Sequence, residues 1–131
     1  MHTTNYVDTL ILPAEDCKAV AKVPDKAGTV AHMQFARLSA PYVFDSDTLL
    51  VEVTGVRRDV PSDKWIDLRA EIFSTGQACL RASPLVKTHG WALHHDGQAR
   101  VALVDPTSDR FQDLMDDPNV FKVKGMRNSR I

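Results

Sequence analysis

Two stretches of this chain hold residues whose types and spacing suit chemistry. The first is Cys79-Leu80-Arg81-Ala82-Ser83, followed closely by Lys87 and His89. Read as a strand over 77–82, it turns Cys79 and Arg81 one way and Ala78, Leu80 and Ala82 toward the core. A guanidinium two residues from a thiol favours the thiolate, the nucleophilic form. Arg81, Lys87 and His89, with Ser83 as a neutral donor, can also converge on one anion as the chain turns at Pro84. A plainer arrangement is open too: Cys79 as a small buried hydrophobe and Arg81 paired with Glu52 or Glu71. The segment concentrates donors and holds no acid, which keeps the anion site in play.

The second stretch is His94-His95-Asp96-Gly97-Gln98, at the tip of a hairpin spanning Gly90–Val104. A two-residue Asp-Gly turn would set Leu93 opposite Arg100 and mix charge into an apolar face. A three-residue loop from His95 to Gly97, with Gly97 left-handed, pairs Trp91 with Val101 and Leu93 with Ala99. Trp91, Leu93, Ala99, Val101 and Leu103 then share one face, and His94 lies on the other as a candidate acid/base. The adjacent histidines do not form a metal pair, and neither HExxH nor CxxC occurs, so no metal is expected. No GxGxxG, GxxxxGK[ST] or GxSxG is present either, so no cofactor is expected.

Two further side chains join the candidates. Arg69 falls inside the apolar stripe of its helix, where a charge must snorkel, pair, contact a partner or line a cavity. Tyr6, with Tyr42, can lend a hydroxyl to a cleft or simply pack.

These groups hang on a recognisable scaffold. Tyr6–Leu12 reads as a strand stopped by Pro13, and residues 13–28 as a loop. Thr29 caps a helix through Ser39. Thr48–Val56 alternates Leu49, Val51 and Val53 with Glu52 and Thr54, the pattern of a half-buried strand. Ser62 opens a helix lined by Trp65, Leu68, Ile72 and Phe73 and stopped by Gly76. Ser83–Thr88 reads as a loop, Asp105-Pro106 starts a last helix to about Met115, and Val120–Gly125 is a last strand. The sum is one α+β domain over 1–131. Its partly antiparallel sheet has about five or six strands, with three helices mainly on one face and a basic polar tail from about 126.

Composition narrows the partners. A net charge of −1 argues against nucleic acid, and no apolar stretch approaches a membrane span. Met1–Asp8 lacks the basic and apolar regions of a signal peptide, so a reducing cytoplasm with Cys17 and Cys79 both free is expected. Charge does segregate locally: five aspartates lie within 105–119, then Lys122, Lys124, Arg127 and Arg130 follow without an acid. Mutual neutralisation of helix and tail is the simple reading, and an anion-binding arm the other.

The segments Met1–Tyr6, Asp8-Thr9, Asp16-Cys17, Pro41-Tyr42, GQACLRASPL at 76–85 and Gly90-Trp91 before His94 resemble a family of small uncharacterised bacterial and fungal proteins. The resemblance runs nearly end to end and implies no activity. It draws attention to Asn5, Tyr6, Asp8, Cys17, Cys79, Arg81, Ser83 and Trp91. The chain departs from the pattern at Ala78 (often proline), at Thr88-His89 (often a basic-aromatic pair) and at Ala92 (often glycine), which demotes His89. A domain binding an anionic small molecule or peptide near Arg81 is therefore expected, using Ser83, Lys87, Arg69 and Tyr6. An enzyme built on Cys79 or His94 and an interaction subunit, including a homo-oligomer, are the alternatives.

Overall fold

The computed structural model describes residues 1–129, so Arg130 and Ile131 at the end of the basic tail lie outside the described residues. Four strands form one mixed sheet: β1 (Thr9–Leu12), β2 (Ala92–His95), β3 (Val101–Val104) and β4 (Phe121–Lys124). Their order is β3-β2-β1-β4, antiparallel except for the β1–β4 pair. Five α-helices accompany it among the described residues: α1 (Val30–Leu38), α2 (Ser46–Arg57), α3 (Trp65–Ile72), α4 (Pro84–Lys87) and α5 (Asp109–Asp116). The α+β class holds, but the sheet is smaller than five or six strands and the helices outnumber three. None of these helices is long and apolar enough to cross a membrane.

The largest departure is Thr48–Val56, which lies in α2 and not in a strand. Residues two apart on a helix point to opposite sides, so their alternation marks a helix buried on two faces. Leu49 and Val53 pack toward α1 and the sheet, while Val51 packs with Leu68, Ile72 and Phe73 of the α3 region. Asp45 caps this helix, its Oδ1 accepting from Thr48 N at 2.7 Å. Trp65 of α3 lies against Gly55 of α2, where an added Cβ would fall 2.3 Å from the indole Nε1.

Residues 77–82 are not a strand either. Cys79 is extended and Leu80–Ala82 make one 3₁₀ turn, after which Ser83 caps α4 with Pro84 in its first turn. Ser62 begins a 3₁₀ turn and not the α-helix itself, which starts at Trp65. At the other end Ser108 caps α5, its Oγ accepting from Phe111 N, and Asp105 forms the turn before it.

The hairpin has the expected three-residue loop, displaced by two residues. Asp96 N bonds Arg100 O, and Ala99, not Gly97, takes the left-handed conformation (φ 66°). Asp96 Oδ1 accepts from the backbone of Gln98 and Arg100, which fixes the turn one residue beyond His95. Leu93 thus pairs with Leu103, and His95 with Val101; Trp91 does not oppose Val101. Moving the loop by two residues shifts the pairing by four, an even number that preserves faces, so Leu93, Val101 and Leu103 stay together with His94 opposite, but His95 leaves the turn and enters the sheet.

Both faces of the sheet are covered. One holds Ile11, Leu93 and Val101 under α1, α2 and α4; the other holds Leu10, Ala92 and Val104 under Leu114 of α5. Most of the helices thus lie on one side of the sheet, and α5 covers the other. Among the described residues the ion pairs of the basic segment go to the 13–28 loop and not to the aspartates of α5: Lys124 and Arg127 meet Glu15, and Asp16 accepts from Asn128 and Ser129 N, while Lys122 donates to Asp117 O at the end of α5. The Lys124 bond and charge hold Glu15 below the usual carboxylate range, and the Asn128 amide does the same for Asp16.

Candidate functional site

The N-terminal segment builds the site. Asp47, in the first turn of α2, is buried and collects Thr3 Oγ1 (2.6 Å), Thr4 N (2.6 Å) and Thr4 Oγ1 (2.7 Å). Asn5 accepts from Asp47 N and donates to Asp45. Asp45 is held below its ordinary value: burial raises it, but the Thr48 and Asn5 bonds and the Arg69 charge outweigh that. A carboxylate at a helix start is favoured by the free amides there. These bonds strap residues 3–5 to α2 and deliver Tyr6 to the first face of the sheet.

There the Tyr6 hydroxyl lies 3.3 Å from Cys79 Sγ. The Cys79 bond, then burial, pushes the Tyr6 phenol up, and the charge of Arg81 partly opposes them. Arg81 donates from Nε to Lys124 O at 2.6 Å, and no carboxylate among the described residues pairs with it. The two acids offered as its partners are taken elsewhere, Glu52 by Arg37 and Glu71 by Arg58.

Cys79 opens onto a cleft of about 140 Å³ walled by Thr4, Gln34, Ser46 and Ser83 among apolar neighbours. Ser83 Oγ donates to Gln34 Oε1 (2.6 Å) and accepts from Leu85 N, so its hydroxyl is occupied. That bond leaves the Gln34 amide group as a donor on the wall. A wider depression of about 410 Å³ adjoins it, sharing Val30 and Pro84 and reaching Lys26 and His89.

The remaining candidates lie apart. Lys87, in the last turn of α4, does not line the cleft. Arg69 donates to Thr48 Oγ1 at 3.3 Å and sits over the Phe73 ring, 5.7 Å from its centre. His94 faces the opposite side of the sheet, so it makes no pair with Cys79. Its Nδ1 is 2.6 Å from the Tyr42 hydroxyl, which accepts from Arg110 Nη2 at 3.2 Å. With Arg110 always a donor, the Tyr42 proton points at Nδ1. Burial and then the Arg110 charge push the His94 imidazole below its ordinary value. Tyr42 is itself left-handed (φ 59°), a rare backbone for a bulky residue, and this places its ring edge-on to His94.

His95 was hidden by the register. It is fully buried, meets Tyr6 edge-on with ring centres 5.5 Å apart, and neither ring nitrogen finds a hydrogen-bond partner among the described residues. Burial, helped by His94, pushes its pKa down to about 4. No group of three or more His, Cys, Asp or Glu that could hold a metal ion occurs among the described residues. The strap on Asp47 had one visible signal, the Asp45-Ser46-Asp47-Thr48 run of helix-capping residues.

A model of a family of unknown function, DUF6157, matches residues 1–131, and the chain belongs to that family. Neither the curated proteins nor the solved structures returned a match.

Proposed function

We propose, for this member of a family without an assigned function, that the chain is a binding domain whose cleft beside Arg81 takes an anionic small molecule or a peptide. One observation carries the reading: Cys79 lines a cleft and meets the Tyr6 hydroxyl from the N-terminal segment, and Arg81, two residues on and without a carboxylate partner among the described residues, lies beside them at the cleft's edge and not in its lining. Two guanidinium nitrogens stay available after Nε is spent on Lys124 O, enough for a forked contact with carboxylate or phosphate. The Gln34 amide adds a neutral donor.

Size constrains the occupant. The cleft's 140 Å³ falls below the roughly 300–1,000 Å³ of pockets for drug-sized ligands, so one end group enters it. The rest of an elongated ligand would run over Val30 and Pro84 toward Lys26 and His89. In the alternative, an enzyme using Cys79 as nucleophile or His94 as acid/base, the two would act separately, because they lie on opposite sides of the sheet.

Amide NMR titration with inorganic phosphate and with citrate tests the reading. Saturable shifts are expected at residues 78–84, with affinity about tenfold to a hundredfold weaker in Arg81→Ala. The same variant should lose only about 1 kcal/mol of stability, for the bond to Lys124 O. Shifts confined to other regions, or undiminished in Arg81→Ala, would sink the proposal.

A further inference from the structure

We propose, resting on the preceding reading of the cleft as a binding site, that the group entering it is an uncharged carboxamide. The ligand is then an anion with a small amide end. Gln34 of α1 lines the cleft and is about nine-tenths buried, with 9% of its surface exposed. Its Oε1 is taken by Ser83 Oγ at 2.6 Å, while its Nε2 donates to nothing among the described residues. A buried amide with its donor half unmade costs free energy comparable to the missing bond. An acceptor brought into the cleft by a ligand restores that bond.

The rest of the lining decides what that acceptor belongs to. Thr4 Oγ1 gives its one proton to Asp47 Oδ1, so Ser46 is the donor of the 2.8 Å bond between the Thr4 and Ser46 hydroxyls. Ser46 Oγ, also in the lining, therefore keeps lone pairs to accept with. Ser83 is already spent on Gln34 and Leu85 N. Leu50, Leu80 and Pro84 add apolar wall, and no charged side chain among the described residues lines the cleft. A donor, an acceptor and uncharged apolar walls complement an amide. Its carbonyl accepts from Gln34, its N–H donates to Ser46, and its carbon stem covers the leucines. A carboxylate in the same place would bring a charge into a small space with no cation in its walls, which is costly. The anionic part of the ligand thus stays at the rim, within reach of Arg81.

Acetamide and acetate match in size and differ in charge and in the N–H, so they are the first probes. Each is titrated into the whole isotopically labelled chain, with the side-chain NH2 resonances of Gln34 as the readout. Acetamide should move that pair saturably and bind about tenfold more tightly than acetate, a comparison that needs no variant. Gln34→Glu keeps the acceptor for Ser83 and removes the donor, and Gln34→Met removes the donor without adding a charge. Each should weaken acetamide about tenfold. N-acetylglycine and succinamate, each with one amide and one carboxylate, should bind more tightly than acetamide, and that gain should vanish in Arg81→Ala. The tighter of the two shows whether the amide is an acylated amine or a primary carboxamide. Acetate binding as tightly as acetamide, a Gln34 NH2 pair that does not move, or affinity unchanged in both Gln34 variants overturns the proposal. Phosphate and citrate shifts that still depend on Arg81 would then leave the anion reading standing. Saturation by acetamide without any response to phosphate or citrate would remove the Arg81 contact and leave the amide cleft.

Discussion

On each side of the sheet a tyrosine ring meets a histidine ring edge-on, both with centres 5.5 Å apart. The histidines are neighbours in sequence and the geometry is nearly the same, yet the bonding differs throughout. His94 Nδ1 receives the Tyr42 hydroxyl, which in turn receives Arg110, so this nitrogen and this hydroxyl are both bonded. His95 receives nothing, because Tyr6 is strapped so that its hydroxyl reaches Cys79. The pairs show that ring contact and polar satisfaction are separate properties, set by different segments. On the Tyr42 side α5 supplies the extra donor. On the Tyr6 side the N-terminal strap directs the hydroxyl to a thiol, and the buried imidazole is left unsatisfied.

The strap is the place to break the comparison most severely. Asp47→Ala removes the acceptor of three buried or half-buried donors, at a cost of about 4 kcal/mol. Denaturant melts should show that loss. Tyr6 fluorescence and Cys79 alkylation should change with it, while the Tyr42–His94 contact persists in NMR. A Cys79 environment unaltered in the variant would mean the strap does not position Tyr6.

Acid comes next in size. His95 has a folded pKa of about 4 against an ordinary 6.5, so the unfolded chain binds the proton first as pH falls. That stability is fully present above pH 6.5 and is lost toward pH 4, by roughly 3 kcal/mol in all. About 2 kcal/mol of it should go above pH 5, before most carboxylates titrate. His94 acts in the same direction. His95→Leu should flatten most of this limb and His94→Leu less of it; melts at pH 7 and pH 5 decide.

The smallest effects sharpen the contrast. Tyr42→Phe strands the buried His94 Nδ1 and should cost about 2 kcal/mol, whereas Tyr6→Phe loses one long bond to sulfur, worth about 0.5 kcal/mol. Equal losses from the two substitutions would mean that the two tyrosines do equivalent work.

The alternation of apolar residues sorted the hairpin faces correctly before any contact was known, because a face depends only on parity. The same alternation misled at Leu49, Val51 and Val53, where two buried helix faces imitate a half-buried strand. Cys79, Arg81 and Ser83 stand out as candidates because donors without acids cluster at 79–89, and the N-terminal segment brings Tyr6 to Cys79. His95 was not legible, since its role turns on a two-residue displacement of the loop set by the Asp96 side chain. Nor were Arg110 and Tyr42, which meet His94 only through tertiary packing.

One bond has a consequence beyond the cleft. β4 is an edge strand, and edges with free carbonyls invite pairing with another chain. The far edge of the sheet, β3, is closed by residues 42–45 through the Tyr42 and Val101 amides. At β4 the closing is done by Arg81, whose Nε occupies Lys124 O while its own carbonyl takes Met126 N. Lys122 and Lys124 add their charges along the same edge. A foreign strand must displace a charge-assisted bond before it can extend the sheet there, so the guanidinium next to Cys79 also blunts this edge.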